Sequence, residues 1–242
     1  MIANPVMKHA LTAVSLIVAL AASSSALAGP VADFEAGFRA TYASYRMALF
    51  ATNTGDVDKS KHAIGAFDSR WDALVSGNAT TPPPHYADDP AWASTLTEVS
   101  DAITRAGQLA EQGKLTDAHE ELEHVRDAIG DLHLRNGIVL FSDRMNAYHA
   151  QMEQVIGLPV TDAAGKQQLI EQAAVLAYLA DDMLRAPPVE ARGNPEFKKL
   201  ASAVKTSVDA LQSAARSGDA EAIKSTVSAL KKPYSMLFLK FG

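Results

Sequence analysis

The chain has 242 residues, of which 48% are hydrophobic, and carries 28 acidic and 22 basic side chains for a formal net charge of −6. This acidic balance, with no stretch that concentrates Lys and Arg, disfavours binding to the phosphates of nucleic acids. The absence of Cys excludes disulfides, thiolate metal sites and covalently attached c-type haem.

Residues 1–28 have the order of segments that is typical of a secretory signal peptide. Lys8 and His9 are followed by an apolar run from 10 to 22, and small residues lead to an Ala-x-Ala pattern that ends at Ala28. The apolar run is shorter than the roughly 20 residues that cross a bilayer. We therefore expect cleavage after Ala28, a periplasmic or secreted protein, and no membrane attachment after cleavage.

Beyond residue 28, apolar residues recur three and four positions apart, which predicts an all-α fold. The first helical stripe consists of Phe34, Phe38, Tyr42, Tyr45 and Leu49. The second helix follows the turn at 53–56, and a Pro-rich loop at 76–90 ends the first hairpin. Three more hairpins are predicted over 91–134, 138–185 and 194–230. The expected total is about eight helices in four antiparallel hairpins.

Three turns have similar sequences, which suggests a weak internal repeat of helical hairpins. They are Thr54-Gly55-Asp56, Gln112-Gly113-Lys114 and Ser217-Gly218-Asp219. Because one hairpin covers only part of its apolar face, four hairpins favour two tandem four-helix bundles. With a boundary at Asn136-Gly137, the bundles span 29–135 and 136–242. A single array of hairpins is the alternative.

Ligand-type side chains collect between Leu115 and Glu153. The predicted metal ligands are His119, Glu123, His149 and Met152, with Met145 and Glu153 as possible additional ligands. If the fourth and fifth helices fold back on each other at Asn136-Gly137, antiparallel geometry places His119 opposite Glu153 and Glu123 opposite His149. If the two helices instead form one continuous rod, these residues separate.

Two imidazoles and a carboxylate from facing helices are typical of a metal site in a bundle. Nearby Met thioethers favour copper, while zinc and iron also suit imidazole and carboxylate ligands. The competing interpretation is that the Met residues only fill a core and the His residues are solvated. A pairing of Arg126 with Glu123 would also compete with metal binding.

No arrangement of residues predicts catalysis. The chain lacks a Gly-x-Ser-x-Gly elbow and a phosphate loop, and the segment from His119 to Glu123 lacks the second His of the His-Glu-x-x-His zinc helix. We therefore expect a protein that is not an enzyme.

Two short segments resemble those of periplasmic four-helix-bundle cytochromes. The turn Ser217-Gly218-Asp219 and the following Ala220 to Lys224 resemble the last hairpin of cytochromes c-prime, although Lys231 to Met236 stands where those proteins have Cys-x-x-Cys-His. The segment from Arg144 to His149 is similar to the one that ends in the axial His of soluble b-type cytochromes. This resemblance implies that His149 is a ligand of non-covalent haem b, with Met47 or Met145 opposite.

These observations lead to a first hypothesis and two alternatives. The first is an exported helical-bundle protein that binds a metal ion, copper above zinc or iron, for storage, delivery or sensing. The second is a b-type haem protein. The third is a scaffold without a cofactor, whose helical hairpins bind a periplasmic protein partner.

Overall fold

A computed structural model describes residues 29–242, so the predicted signal peptide at 1–28 lies outside the described residues. Over 29–242 the protein is all-α, with nine α-helices and no strand, which confirms the predicted fold class. The helices are α1 (Pro30–Asn53), α2 (Val57–Ser76), α3 (Trp92–Glu111), α4 (Leu115–Arg135), α5 (Phe141–Gly157), α6 (Ala163–Arg185), α7 (Pro195–Ser217), α8 (Ala220–Ser228) and α9 (Lys231–Phe241). None of these helices is long and apolar enough to cross a membrane.

The turns between hairpin helices follow local chemistry that the sequence displays. Gly55 and Gly218 adopt left-handed φ angles of 75° and 71°, which residues with a Cβ atom rarely adopt. The carboxylate of Asp56 accepts a hydrogen bond of 3.0 Å from the backbone N–H of Lys59, and Asp219 caps α8 in the same way. Each turn therefore reverses the chain and starts the next helix within a few residues.

Helices α1 to α4 form one closed bundle, in which α1 contacts α2 and α4, and α3 contacts the same two helices. Their apolar stripes meet in a hydrophobic core that runs from Phe34 to Leu132. Tyr45 and Leu122 are fully buried at its centre. The stripe predicted for α1 is therefore the face that this helix buries.

Helices α5, α6, α7 and α9 form a second closed bundle, and α8 packs against α7. Its core runs from Phe141 to Leu237 and includes the fully buried Leu211. Helix α9 lies beyond the last predicted helix. It buries Tyr234 and Leu237 in this core, and Pro233 is tolerated because N–H groups in the first turn have no intrahelical partner.

The junction between the bundles is a tight turn rather than a continuous helix. Gly137 adopts a φ of 67° after α4, and α5 begins at Phe141, three residues later than predicted. The start is delayed because the carboxylate of Asp143 accepts a hydrogen bond of 2.7 Å from the backbone N–H of Leu140. The same carboxylate lies 2.9 Å from Nδ1 of the buried His133, which ties the end of α4 to the start of α5.

The two bundles also contact each other through α1 and α9. The guanidinium group of Arg46 in α1 donates to the carbonyl oxygens of Leu239 and Gly242 at the end of α9. Phe238 packs against both cores. The end of α9 is therefore held on the surface of the first bundle.

One hydrophobic core lies within 34–132 and the other within 141–237, and the division of the chain at residue 136 into two domains stays a prediction. We expect Leu122→Ala to lower the free energy of unfolding of residues 29–135 by about 2–5 kcal/mol, because truncation of a buried Leu leaves a cavity. Leu211→Ala is the matched change for residues 136–242. Differential scanning calorimetry should show two transitions, each shifted by one variant. A single transition shifted by both variants would contradict the division.

Candidate functional site

A cavity of about 120 Å³ lies where α1, α4, α5 and α9 meet, between the two bundles. The lining residues are Arg46, Leu49, Phe50 and Asn53 of α1, His119, Glu123 and Arg126 of α4, Asn146 and His149 of α5, and Tyr234, Ser235, Phe238 and Leu239 of α9. Three of the four predicted metal ligands therefore line one cavity. They reach it from different cores, since α4 belongs to the first bundle and α5 to the second.

His119 lies on the cavity side of α4, where α1 holds its ring. Its Nδ1 atom lies 2.8 Å from the hydroxyl oxygen of Thr52, which itself donates to the Leu49 carbonyl oxygen at 2.9 Å. Because that hydroxyl proton is already used, we assign the imidazole proton to Nδ1. The lone pair is then on Nε2, where it accepts a long hydrogen bond of 3.4 Å from the side-chain amide of Asn53. Burial lowers the pKa of His119, so the ring stays neutral.

Glu123 follows His119 by one helical turn, and its carboxylate pairs with Arg126. The Nη1 atom of Arg126 lies 3.0 Å from the Glu123 carboxylate, and its Nε atom lies 2.9 Å from the carboxylate of Asp127. The competing ion pair expected from the sequence is therefore present. This contact uses one of the two carboxylate oxygens, so another cation at Glu123 would compete with Arg126 for its charge.

His149 enters the cavity from α5 and stacks on Tyr234 of α9. The ring centroids are 5.1 Å apart and the ring planes differ by 11°. Burial lowers the pKa of His149, and the nearby carboxylate of Glu153 acts in the opposite direction. The Nε2 atom of His149 lies 3.4 Å from that carboxylate, which also binds Lys231 at 3.0 Å. Glu153 thus contacts His149 without lining the cavity.

The two predicted thioether ligands lie elsewhere. Met145 and Met152 are 0% and 1% exposed and belong to the core of the second bundle. Both positions belong to the apolar seam of α5, and that seam faces α6 and α9. The structure therefore brings together His119, Glu123 and His149, but not the Met residues.

Asn146 is a cavity residue that the sequence analysis did not single out. It precedes His149 by three positions and therefore shares its face of α5. Its Oδ1 atom is buried and has no hydrogen-bond partner among residues 29–242. The spacing Asn146-x-x-His149 indicates that the two side chains share a face of α5. The sequence does not show that this face is the one that meets the first bundle.

In the described range, 29–242, no three His, Asp or Glu side chains are grouped as closely as ligands around a metal ion. The three predicted ligands that line the cavity have protein partners instead: Thr52 and Asn53 for His119, Arg126 for Glu123, and Glu153 for His149. A metal ion at Nε2 of His119 would displace Asn53 and keep the contact between Nδ1 and Thr52.

No protein-family model, curated protein or solved structure matches this chain. We therefore infer the function from the residues of the cavity.

The buried imidazoles predict a pH dependence of stability. Unfolding restores the pKa of His119 and His149 to about 6.5, so the unfolded chain binds more protons than the folded chain below that pH. The free energy of unfolding of metal-free protein should therefore fall as the pH drops from about 7 to 5. Chemical denaturation should show a shallower fall for a His119→Asn, His149→Asn variant. Parallel pH profiles for the two proteins would contradict this prediction.

Proposed function

We propose that this protein is exported and binds a metal ion, with Cu²⁺ preferred, in the cavity between its two bundles. The observation that carries the proposal is that His119, Glu123 and His149 line one cavity although they belong to different bundles. Binding at this place would make the metal a bridge between the first and the second core.

The chemical state of the His residues supports this proposal. Metal ions bind neutral imidazole, and burial lowers the pKa of both His119 and His149. Nε2 of His119 is the donor atom that a metal ion would use, because Nδ1 is held by Thr52 at 2.8 Å, whereas the amide of Asn53 contacts Nε2 only at 3.4 Å. A hydrogen bond at the second ring nitrogen, which fixes the orientation of the imidazole, is a usual feature of His ligands.

The donor set favours copper as Cu²⁺. Two imidazoles with oxygen donors from Glu123 and Asn146 bind divalent first-row ions most tightly at copper in the Irving–Williams series. The thioethers that would favour Cu⁺ lie in the second core, away from the cavity. Zinc and iron are weaker competitors for the same site, and their concentration in the compartment also influences which ion is bound.

Haem b has less support than a metal ion. The cavity of about 120 Å³ is smaller than the roughly 300–1,000 Å³ of pockets that hold organic ligands of drug size. Met145, one of the two axial partners implied for His149, is fully buried in the second core, and Met47 is half-exposed on α1. A partner-binding scaffold without a cofactor remains the alternative in which the cavity binds no metal.

Among the roles of storage, delivery and sensing, the position of the cavity favours sensing or delivery. Storage proteins benefit from many equivalent sites, whereas here we propose one site that bridges two bundles. A ligand that binds side chains of both bundles stabilises their contact, because it binds only when they are docked. Metal binding would thereby determine whether the two bundles are docked, and so which surface they present to a partner protein.

Loss of both imidazoles should abolish tight metal binding. We expect His119→Ala, His149→Ala to weaken Cu²⁺ affinity by more than about 100-fold, because outer-sphere partners of metal sites already contribute 10–100-fold. The matched control is His62→Ala, His124→Ala, which removes two exposed His residues. Titration of mature protein should give one Cu²⁺ per chain for the wild type and this control. Equal Cu²⁺ affinity in all three proteins would show that the metal ion does not bind in this cavity.

The fourth donor can be identified with two conservative changes in α5. We expect Asn146→Ala to weaken Cu²⁺ binding by about tenfold. Met152→Leu should leave the affinity within about threefold, because it conserves volume in the core and removes only a thioether outside the cavity. The opposite pattern, with loss of affinity only in Met152→Leu, would assign the fourth position to Met152.

A further inference from the structure

The cavity is larger than a bare metal ion requires. A single water molecule needs roughly 10–15 Å³ on the scale on which this cavity measures about 120 Å³. An ion bound to His119, Glu123 and His149 would leave most of that space to another occupant. The remaining volume suits a group of a few atoms and is too small for a large chelate.

The charges that line the cavity favour an anion beside the metal. Arg46 and Arg126 are the cationic lining residues and Glu123 is the anionic one, while burial lowers the pKa of both His residues and keeps them neutral. Asp127 pairs with Arg126 at 2.9 Å, far inside the screening length of salt, so the two Arg and two carboxylate charges balance before a metal ion binds. A divalent cation would therefore leave an excess of positive charge, while Glu153 and Lys231 outside the lining pair with each other.

We propose that the cavity takes its metal ion together with one small planar oxyanion of the carbonate or carboxylate class, and that Arg126 holds this anion. This inference rests on the metal site proposed above. The site would then accept the metal ion together with an anion, and not the cation alone.

The contacts of Arg126 suit this role. Its Nε atom donates to Asp127, and its Nη1 atom donates to Glu123. When Glu123 turns to the metal, Nη1 loses its acceptor, and Nη1 and Nη2 together present the planar pair of donors that binds two oxygens of a carbonate or carboxylate. Asp127 continues to hold Nε and fixes the direction of the guanidinium group.

The test compares Cu²⁺ affinity of the mature wild-type protein in argon-purged buffer without oxyanions and in the same buffer with bicarbonate, oxalate or acetate. We expect bicarbonate or oxalate to tighten Cu²⁺ binding by at least about tenfold, the scale of one charged hydrogen-bonded contact. With [¹³C]bicarbonate, electron–nuclear double resonance of the Cu²⁺ centre should show a ¹³C coupling. These two measurements need no variant.

Arg126→Gln should bind Cu²⁺ without an anion at least as tightly as the wild type, because Glu123 loses its competitor, and should lose the dependence on the anion. The matched control is Arg105→Gln, which removes an Arg of α3 that pairs with Glu121 away from the cavity and should keep the full anion effect. Equal Cu²⁺ affinity of the wild type with and without every anion, and no ¹³C coupling, would overturn this inference while leaving the metal site intact. Absence of Cu²⁺ binding in every buffer would overturn both.

Discussion

The turn at Asn136-Gly137 determines where every candidate ligand lies, because it ends α4 and lets α5 begin a second bundle. Gly137 supplies the left-handed conformation, and the contact between His133 and Asp143 ties the two helix ends together. Beyond this junction α4 packs in the first bundle and α5 in the second. Each of the two helices also has a polar face directed to the bundle to which it does not belong. The cavity lies between those faces, and α1 and α9 close it.

Burial and charge act in opposite directions on the cavity residues. Burial keeps His119 and His149 neutral, so each ring has a lone pair, whereas Arg126 neutralises the one lining carboxylate that would attract a cation. These facts suit a site in which a metal ion competes with Asn53 for His119 and with Arg126 for Glu123. The proposed anion resolves the conflict, because it gives Arg126 a new acceptor when Glu123 turns to the metal.

Periodicity alone predicted the helical fold and the buried stripe of α1, because the i, i+3, i+4 pattern indicates which face is apolar. It missed α9, since Lys231, Lys232 and Pro233 look like the end of a helix and the apolar spacing of Tyr234 and Leu237 continues only for a short distance. In the site, spacing placed His119, Glu123 and His149 on candidate faces. It also placed Met152 with them, because a Met on the apolar face of a helix can be either a metal ligand or a core residue. Only the packing of α5 against α6 and α9 separates these two roles.

We propose above that His119 and His149, from two different bundles, bind one metal ion. Electron paramagnetic resonance of the Cu²⁺-loaded mature protein, with natural and [¹⁵N]histidine, tests this pairing because nitrogen ligands split the copper signal. We expect coupling to two histidine nitrogens, reduced to one in His119→Ala and in His149→Ala. A signal without histidine coupling, or one that neither variant changes, would contradict metal binding by this pair.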